Sequence, residues 1–221
     1  MATPKHTTFL RENQDLLKGP LLIVGSKMYP YDQADPRDLL AELGVGPVAG
    51  TDLDAGPGVD VVGDICNPTA AFLDEHREKY ETVVFMEVLT NVNDPFAAAR
   101  TVTELLVPGG TVLLSECIVR KQSRMPADNW RFTYSGLQLL FSACEFHDDR
   151  ARFSIVRAPG AALLPLTNEL PQVMDGRHPD ESRLGHLVRR AHRKLLAHGV
   201  FEVSRLMPET AVMAVATKRP T

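Results

Sequence analysis

Short continuous apolar runs alternate along the chain with segments whose apolar residues recur every three or four positions. The runs are typical of buried strands, and we predict strands at 21–24, 47–51, 59–62, 82–86, 111–115, 153–156 and 210–217. The helical spacing predicts helices at 38–43, 95–106 and 180–196, and one more that Thr133 or Ser135 caps and that runs to Ala143. Strands that alternate with helices in this way indicate an α/β fold, doubly wound around a mostly parallel sheet.

The ends of the helix at 95–106 are the most clearly marked. Asp94 suits the N-cap position and Pro95 suits the first helical position. Because proline and glycine do not continue a helix, we expect the Pro-Gly-Gly at 108–110 to end it.

One connection does not fit the alternation of strands and helices. The segment between Asp52 and Val59 is too short for a crossover helix, since a parallel crossover needs a dozen residues or more. The third strand is therefore either a short edge piece or reached through an irregular connection.

The pattern of strands and helices changes from about Phe153 onward. The strands at 153–156 and 210–217 fit a hairpin that a large helical insert interrupts, so we assign residues 1–158 and 209–221 to a core and 159–208 to the insert. The insert is rich in basic residues and histidines: Arg177, Arg183, Arg189, Arg190, Arg193, Lys194, His178, His186, His192 and His198. A basic helix is most often a solvated face; the functional alternative is a lid over an anionic acceptor.

Composition narrows the class of protein further. The 221 residues carry a net charge of -4, which gives no reason to expect nucleic acid as a partner. Cys66, Cys117 and Cys144 stand singly, which is typical of reduced thiols and not of a disulfide frame or a metal site. No apolar run reaches membrane length and the start lacks the apolar core of a signal peptide. We expect a cytoplasmic protein without membrane or metal, and leave a homo-oligomer open.

Two acids follow apolar runs within residues 48–64. Asp52 and Asp64 each stand where a predicted strand stops, with a Gly-Pro-Gly turn between them. Ligands of open α/β sheets bind at the carboxyl ends of the strands, and a carboxylate accepts hydrogen bonds from hydroxyl and amine groups. The pattern therefore predicts a site for a nucleoside-bearing cofactor.

Five segments, in order along the chain, resemble class I S-adenosylmethionine-dependent methyltransferases. They are LLIVG at 21–25, the stretch 48–64, VFMEVLTNVNDP at 84–95, LLVPGGTVLL at 105–114 and DNWRFTYSGL at 128–137. The last is similar to a WRFT-containing signature of one subgroup of that family. The resemblance covers about residues 20–146 and the last strand. It implies a Rossmann-like methyltransferase fold, S-adenosyl-L-methionine as cofactor and a small-molecule acceptor.

The resemblance also implies the position of the cofactor. The residues expected around it are Gly25, Ser26, Asp52, Leu53, Asp64, Ile65, Met86 and Glu87. Asp52 would bind the ribose hydroxyls, with Asp54 as its competitor, or would form a turn. Asp64 would accept from the adenine amine while Ile65 packs on the ring, or would likewise be a turn residue. Glu87 would orient cofactor or acceptor, with a capping or salt-bridging role as the alternative.

The chain departs from the family pattern at several positions. Ile23 stands where the family usually has an acid, and Lys27 and Tyr29 stand where it has further glycines. The amino-acid end of the cofactor must then find other partners, for which Ser26 is a candidate. Asn91 stands where many relatives carry a histidine, which removes one base.

The acceptor side offers Tyr29 and Arg131 as candidate positioning residues. Tyr29, like Tyr31, lies in the loop after Gly25 and either hydrogen-bonds an oxyanion or packs. Arg131 either pairs with Asp128 or binds an anionic substrate, and Trp130 is either a core residue or part of the acceptor wall.

The acceptor itself is inferred from the chemistry of methyl transfer. In-line transfer depends mainly on positioning, and an anionic oxygen needs no base. We therefore expect an O-methyltransferase of the secondary-metabolism type, acting on a small carboxylate, phosphate or phosphonate.

Two other functions remain open. A methyltransferase-like protein that binds partners without catalysis would explain the missing acid and glycines. A dinucleotide-dependent oxidoreductase would need a G-x-G-x-x-G turn, which the chain lacks after its first strand.

Overall fold

A computed structural model describes residues 3–30, 35–120, 122, 127–155, 163–166, 182–197 and 210–220. The chain forms two compact units. The first comprises Met1–Pro165 together with Glu209–Thr221, and the second comprises Leu166–Pro208.

The first unit is built on a sheet of nine strands among the described residues. The strands are β1 (Leu21–Val24), β2 (Val48–Asp52), β3 (Val61–Val62), β4 (Tyr80–Met86), β5 (Leu106–Val119), β6 (Cys144–Phe146), β7 (Arg152–Ile155), β8 (Leu163–Pro165) and β9 (Thr210–Lys218). They lie in the order β3-β2-β1-β4-β5-β9-β7-β8, and β6 pairs with β9 beside β7. The pairs from β3 to β5 are parallel, whereas β9 is antiparallel to its neighbours β5, β6 and β7. The predicted doubly wound, mostly parallel sheet is confirmed.

Five helices of the first unit accompany this sheet in the described residues. They are α1 (Pro4–Glu12), α2 (Pro36–Glu42), α3 (Ala70–His76), α4 (Pro95–Leu105) and α5 (Tyr134–Leu140). Two predicted caps are confirmed: the Asp94 side chain accepts from Ala97 N and the Thr133 side chain accepts from Gly136 N. The helices α1 and α3 and the strands β6 and β8 were not predicted from the sequence.

Helix α4 ends one residue before its predicted end, and the Pro-Gly-Gly expected to end it lies within β5. The helix already ends at Leu105, and β5 begins at Leu106, which pairs with Tyr80. The register then shifts, so that Thr82 pairs with Thr111, and Gly109 takes a positive φ of 80° within the shift. Pairing with β4 therefore starts the strand directly after the helix, earlier than the predicted start at Thr111.

Of the two alternatives for the third strand, the structure shows the first: β3 is a short strand at the edge of the sheet. β3 has two residues, paired in parallel with Thr51 and Asp52, and no helix intervenes. Asp60 fastens the connection to the edge of β2, because its carboxylate accepts from Gly50 N at 2.7 Å and its N–H donates to Gly50 O at 2.9 Å.

Both faces of the sheet are covered. On one face, Phe9 and Leu10 of α1 and Leu39 and Leu40 of α2 join a buried cluster with strand residues such as Ile23. On the other face Phe85 of β4 meets Phe141, at the end of α5, edge to face with 6.4 Å between ring centroids. Successive strand residues point to opposite faces, so continuous apolar strands serve both layers.

The second unit contains α6 (Arg183–Ala197). The Ser182 hydroxyl accepts from Gly185 N at its start, and Leu184, Leu187 and Val188 are exposed. The helical part of the predicted insert is confirmed here, whereas Arg177, His178 and His198 lie outside the described residues. None of the helices that the structure describes is long and apolar enough to span a membrane.

Candidate active site

The carboxyl ends of β1, β2 and β4 meet at Gly25. This residue has a φ of +75°, and a Cβ there would lie 2.4 Å from Val88 Cγ2. Its N–H donates to Thr51 O at 2.9 Å. Glycine is therefore required at this position both for the turn and for the close approach of the loop after β4.

Ser26 continues the turn into the interior. Its N–H also donates to Thr51 O, at 3.1 Å, and the residue is only 8% exposed. Its Oγ is buried and has no hydrogen-bond partner among the described residues. Buried hydroxyls are nearly always paired, so this atom lacks a hydrogen-bond partner that a ligand could supply.

Asp52 and Asp54, the two candidates for the ribose, have different surroundings. Asp52 is half-buried at the end of β2, where its carboxylate accepts from Lys27 N at 3.1 Å and from Asp54 N at 3.4 Å. Asp54 is exposed and pairs with Lys27 Nζ at 3.2 Å. The position of Asp52 in the crevice matches the predicted role better, and its ribose contact stays a prediction.

Asp64 forms a turn at the outer edge of the sheet. Its carboxylate accepts from Cys66 N at 2.8 Å and from Asn67 Nδ2 at 3.2 Å. Beside it Ile65 is buried, whereas Leu53 is 65% exposed. The turn role is thus present, and the predicted adenine contacts remain untested.

A pocket of about 210 Å³ opens at the carboxyl end of β1. Of the predicted cofactor residues it is lined by Gly25, Ser26 and Met86. Asp52, Leu53, Asp64, Ile65 and Glu87 do not line it. Ile23 and Val84 are among its apolar lining residues, and side chains of α1 and α2 border it.

A polar cluster lies beside this pocket at the ends of β4 and β5. Glu87 takes a positive φ of 58°, a conformation unusual for a residue other than glycine. Its carboxylate lies 3.7 Å from His6 Nε2, 3.5 Å from Ser115 Oγ and 3.2 Å from Arg120 Nη1. Burial raises the pKa of Glu87, but His6 and the Arg120 guanidinium outweigh burial, so its pKa lies below the ordinary value. The salt-bridging role of Glu87 is therefore present in the structure.

Glu116, on β5, is fully buried behind this cluster. Its carboxylate accepts from Val88 N at 3.1 Å, Leu89 N at 2.8 Å, Thr90 N at 3.1 Å and Thr90 Oγ1 at 2.7 Å. Burial and the charge of Glu87 raise the pKa of Glu116 to about 8, against the hydrogen bonds from Leu89 and Thr90, which lower it. Glu116 thereby fixes the loop that follows the strained Glu87.

The two predicted acceptor residues, Tyr29 and Arg131, do not line the pocket. Tyr29 is 41% exposed, and its ring centroid lies 5.7 Å from Lys27 Nζ; Tyr31 lies outside the described residues. Arg131 is paired with Asp128, its Nη2 at 2.9 Å from Oδ2, and also donates to Arg120 O at 3.3 Å. Of the two interpretations of Arg131, the structural pairing is the one observed.

Trp130 and Asn91 stabilise the loop that follows β4. Trp130 is 41% exposed and its Nε1 donates to Val92 O at 2.9 Å, so it is not a core residue. Asn91 Nδ2 donates to Glu87 O at 2.9 Å.

Sequence reasoning missed several residues of the site. His6, Ser115, Glu116 and Arg120 meet only through long-range pairing, and Arg37 comes from the helix after the glycine turn. The one local signal was a glutamate within the apolar run of β5, a burial that requires partners.

Comparison with known families decides the identity. A family model described as a methyltransferase domain matches residues 25–148, more than half of the chain. The chain belongs to the class I S-adenosylmethionine-dependent methyltransferases. No curated protein matches the sequence of this methyltransferase.

Solved structures share the fold of the methyltransferase. A SAM-dependent methyltransferase from Archaeoglobus fulgidus is 13% identical, with a TM-score of 0.54 over 96% of this chain and 92% of that one. The cyclase SpnF is 16% identical, with a TM-score of 0.57 over 99% and 82%. Phosphoethanolamine N-methyltransferase 2 of Haemonchus contortus, in complex with S-adenosyl-L-methionine, is 13% identical, with a TM-score of 0.54 over 97% and 52%. At these identities the likeness shows the fold alone.

The methyltransferase uses S-adenosylmethionine, which supplies a methyl group on a sulfonium. The described residues fit this cofactor. Gly25 leaves room at the turn, Ser26 offers an unpaired buried hydroxyl, and Ile65 offers an apolar surface next to Asp64.

Proposed function

We propose that this methyltransferase methylates an oxygen atom of a small anionic metabolite, a carboxylate, phosphate or phosphonate. The observation that carries the proposal is Arg120, in the polar cluster beside the pocket. Its Nε is buried and has no hydrogen-bond partner among the described residues. The predicted roles of Asp52, Leu53, Asp64, Ile65 and the other cofactor residues form part of the same proposal.

Arg120 follows β5 directly and faces the end of β4. Its Nη1 lies 3.2 Å from Glu87 and its Nη2 lies 3.6 Å from Asp128, so two acids orient the guanidinium. An unpaired buried donor costs free energy, and an anionic oxygen would supply the missing acceptor with a charge-assisted hydrogen bond. Arg131 would support this contact by holding the backbone carbonyl of Arg120.

His6, the histidine that lines the pocket in the described part of the chain, does not offer a base. Thr3 N donates to His6 Nδ1 at 3.2 Å, so the proton of a neutral ring belongs on Nε2, which faces Ser115 Oγ at 3.0 Å. Neither ring nitrogen then presents a lone pair to an acceptor. A hydroxyl acceptor needs a base and an anionic oxygen needs none, which favours the anionic acceptor.

The insert 159–208 is proposed as a lid over the acceptor, except for β8 (Leu163–Pro165), which belongs to the sheet, and residues 1–158 with 209–221 are proposed as the core. The described part of the insert that supports this is the basic helix α6, whose sequence carries cations suited to an anion. A cytoplasmic location is inferred from the free cysteines Cys66, Cys117 and Cys144.

The test is methyl transfer from labelled S-adenosylmethionine to matched acceptors: a carboxylic acid, its primary amide and the corresponding phosphonic acid. We expect the acids to be methylated and the amide to be left unchanged, with the carboxylate product releasing its label as methanol in alkali. Arg120→Met should raise KM for the acid about 10- to 100-fold, the loss of one charge-assisted hydrogen bond.

The matched control is Arg77→Met, since Arg77 is exposed and pairs only with Glu104, on α4, among the described residues. Preferential methylation of the amide would contradict the proposal. So would equal KM values for the Arg120 and Arg77 variants.

A further inference from the structure

We propose that Arg37 and Ser26 together bind the carboxylate at the amino-acid end of S-adenosylmethionine. They would replace the loop backbone that the family forms with glycines where this chain has Lys27 and Tyr29. The inference rests on the cofactor and is independent of the acceptor.

Ser26 provides the first donor. Its backbone is fixed by the hydrogen bond to Thr51 O, it lines the pocket, and its Oγ is buried without a partner among the described residues. A ligand oxygen in the pocket would complete its hydrogen bonding, as buried polar atoms require.

Arg37 provides the second donor from α2. Its Nη2 donates to Gly58 O at 2.9 Å and to Asp60, which hold the guanidinium in one place. A Cβ on Gly50 would lie 2.5 Å from Ser26 Oγ and 2.6 Å from Arg37 Nη2. The two donors are therefore neighbours, and they are neighbours only because residue 50 is glycine.

The Arg37 guanidinium has two further nitrogen donors for a ligand. Arg37 Nε and Nη1 make no hydrogen bond to the residues that the structure describes. A planar fork of this kind suits a carboxylate. The other pocket cations are engaged at their tips, Arg11 with Glu42 at 2.8 Å and Lys27 with Asp54 at 3.2 Å.

The charge of the pocket suits an amino acid. Arg11, Lys27 and Arg37 line it together with three acids, Asp35, Asp38 and Glu42. A zwitterion needs both signs, since its ammonium group donates and its carboxylate accepts.

The experiment is calorimetric titration with two ligands, S-adenosylhomocysteine and 5′-methylthioadenosine. The second keeps the nucleoside and the sulfur but lacks the amino-acid end, so the ratio of the two affinities isolates the carboxylate subsite. Arg37→Met should weaken S-adenosylhomocysteine binding about 10- to 100-fold, as expected for a charged hydrogen-bonded contact, and should leave 5′-methylthioadenosine binding unchanged. Ser26→Ala should weaken S-adenosylhomocysteine binding about 3- to 10-fold by the same comparison.

The control is Arg77→Met, at an exposed arginine outside the pocket that pairs with Glu104, which should change neither affinity. Equal losses for both ligands in Arg37→Met would overturn the inference, because Arg37 would then only shape the loop through Gly58 and Asp60. Unchanged binding of both ligands in the Arg37 and Ser26 variants would overturn it as well. Wild-type protein that binds neither ligand would overturn the cofactor assignment along with it, whereas the other outcomes leave the cofactor intact.

Discussion

The two halves of the crevice are stabilised in different ways. At the ends of β1 to β3, Asp52 and Asp64 are only half-buried and accept from backbone amides, Asp52 from Lys27 N and Asp64 from Cys66 N. At the ends of β4 and β5, acids are buried and bound across long sequence separations. Glu116 lies behind three amides of another loop, and Glu87 lies between His6 and Arg120. The first half has polar groups exposed for a ligand, whereas the second uses most of its polar groups to fix its own geometry.

This difference predicts different consequences for mutation. Removing an acid that stabilises the structure should lower the free energy of unfolding. Removing an acid that binds a ligand should lower only the affinity for that ligand. The distinction can be tested by making the same change in each half.

The largest effect is expected for Glu116→Ala. Its removal leaves the N–H groups of Val88, Leu89 and Thr90 without their acceptor in a buried loop, so we expect the free energy of unfolding to fall by about 3 kcal/mol. Urea denaturation followed by circular dichroism measures this loss. Asp52→Ala, in the other half, should cost less than about 1 kcal/mol, and equal losses in the two variants would remove the contrast.

The next effect concerns affinity. Asp52→Asn should weaken binding of S-adenosylhomocysteine about 10- to 100-fold, since the ribose would lose its charged acceptor. Titration calorimetry measures the change, and Asp54→Asn serves as control because Asp54 is exposed and paired with Lys27. A greater loss in the Asp54 variant would transfer the ribose role to Asp54.

The smallest effect is a difference in thiol reactivity. Burial, aided by the charge of Glu87, raises the pKa of Cys117 to about 11. At pH 8 only about one thiol in a thousand is then the reactive thiolate. Burial also raises the pKa of Cys144, whereas Cys66 is half-buried next to Ile65. A disulfide reagent at pH 8 should therefore label Cys66 first, as peptide mass spectrometry would show.

S-adenosylhomocysteine should slow the labelling of Cys66, because its adenine is predicted to lie against Asp64 and Ile65. An unchanged rate at saturating ligand would place the adenine elsewhere. Faster labelling of Cys117 than of Cys66 would show that the ends of β4 and β5 are more open than the outer edge.

The contrast also explains how far the sequence alone could lead. The strands β1 and β4 and the caps Asp94 and Thr133 were predictable, because apolar runs and capping residues act within a few positions. The start of β5 was not, since its pairing with β4 is a tertiary effect. Helices α1 and α3 were missed, although α2 and α5, which were predicted, are no longer than they are.

The same distinction between local patterns and long-range contacts applies to the residues of the site. Gly25 and Asp52 follow apolar runs directly, and a local pattern shows them. His6 meets Ser115 across 109 positions, and Glu116 meets Leu89 across 27, so no local pattern indicates either contact. Arg131 shows the reverse case, because the nearby Asp128 is the partner that it has in the structure.

The position of β9 determines when the sheet can be completed during synthesis. It lies between β5 on one side and β6 and β7 on the other, and all three leave the ribosome before it does. Until Thr210–Lys218 emerges, the nascent sheet has an unpaired edge at β5, and the whole insert must be translated while that edge is open. Open edges are sites of wrong pairing between chains. The length of the insert therefore sets how long the edge of β5 stays open to wrong pairing in each newly made molecule.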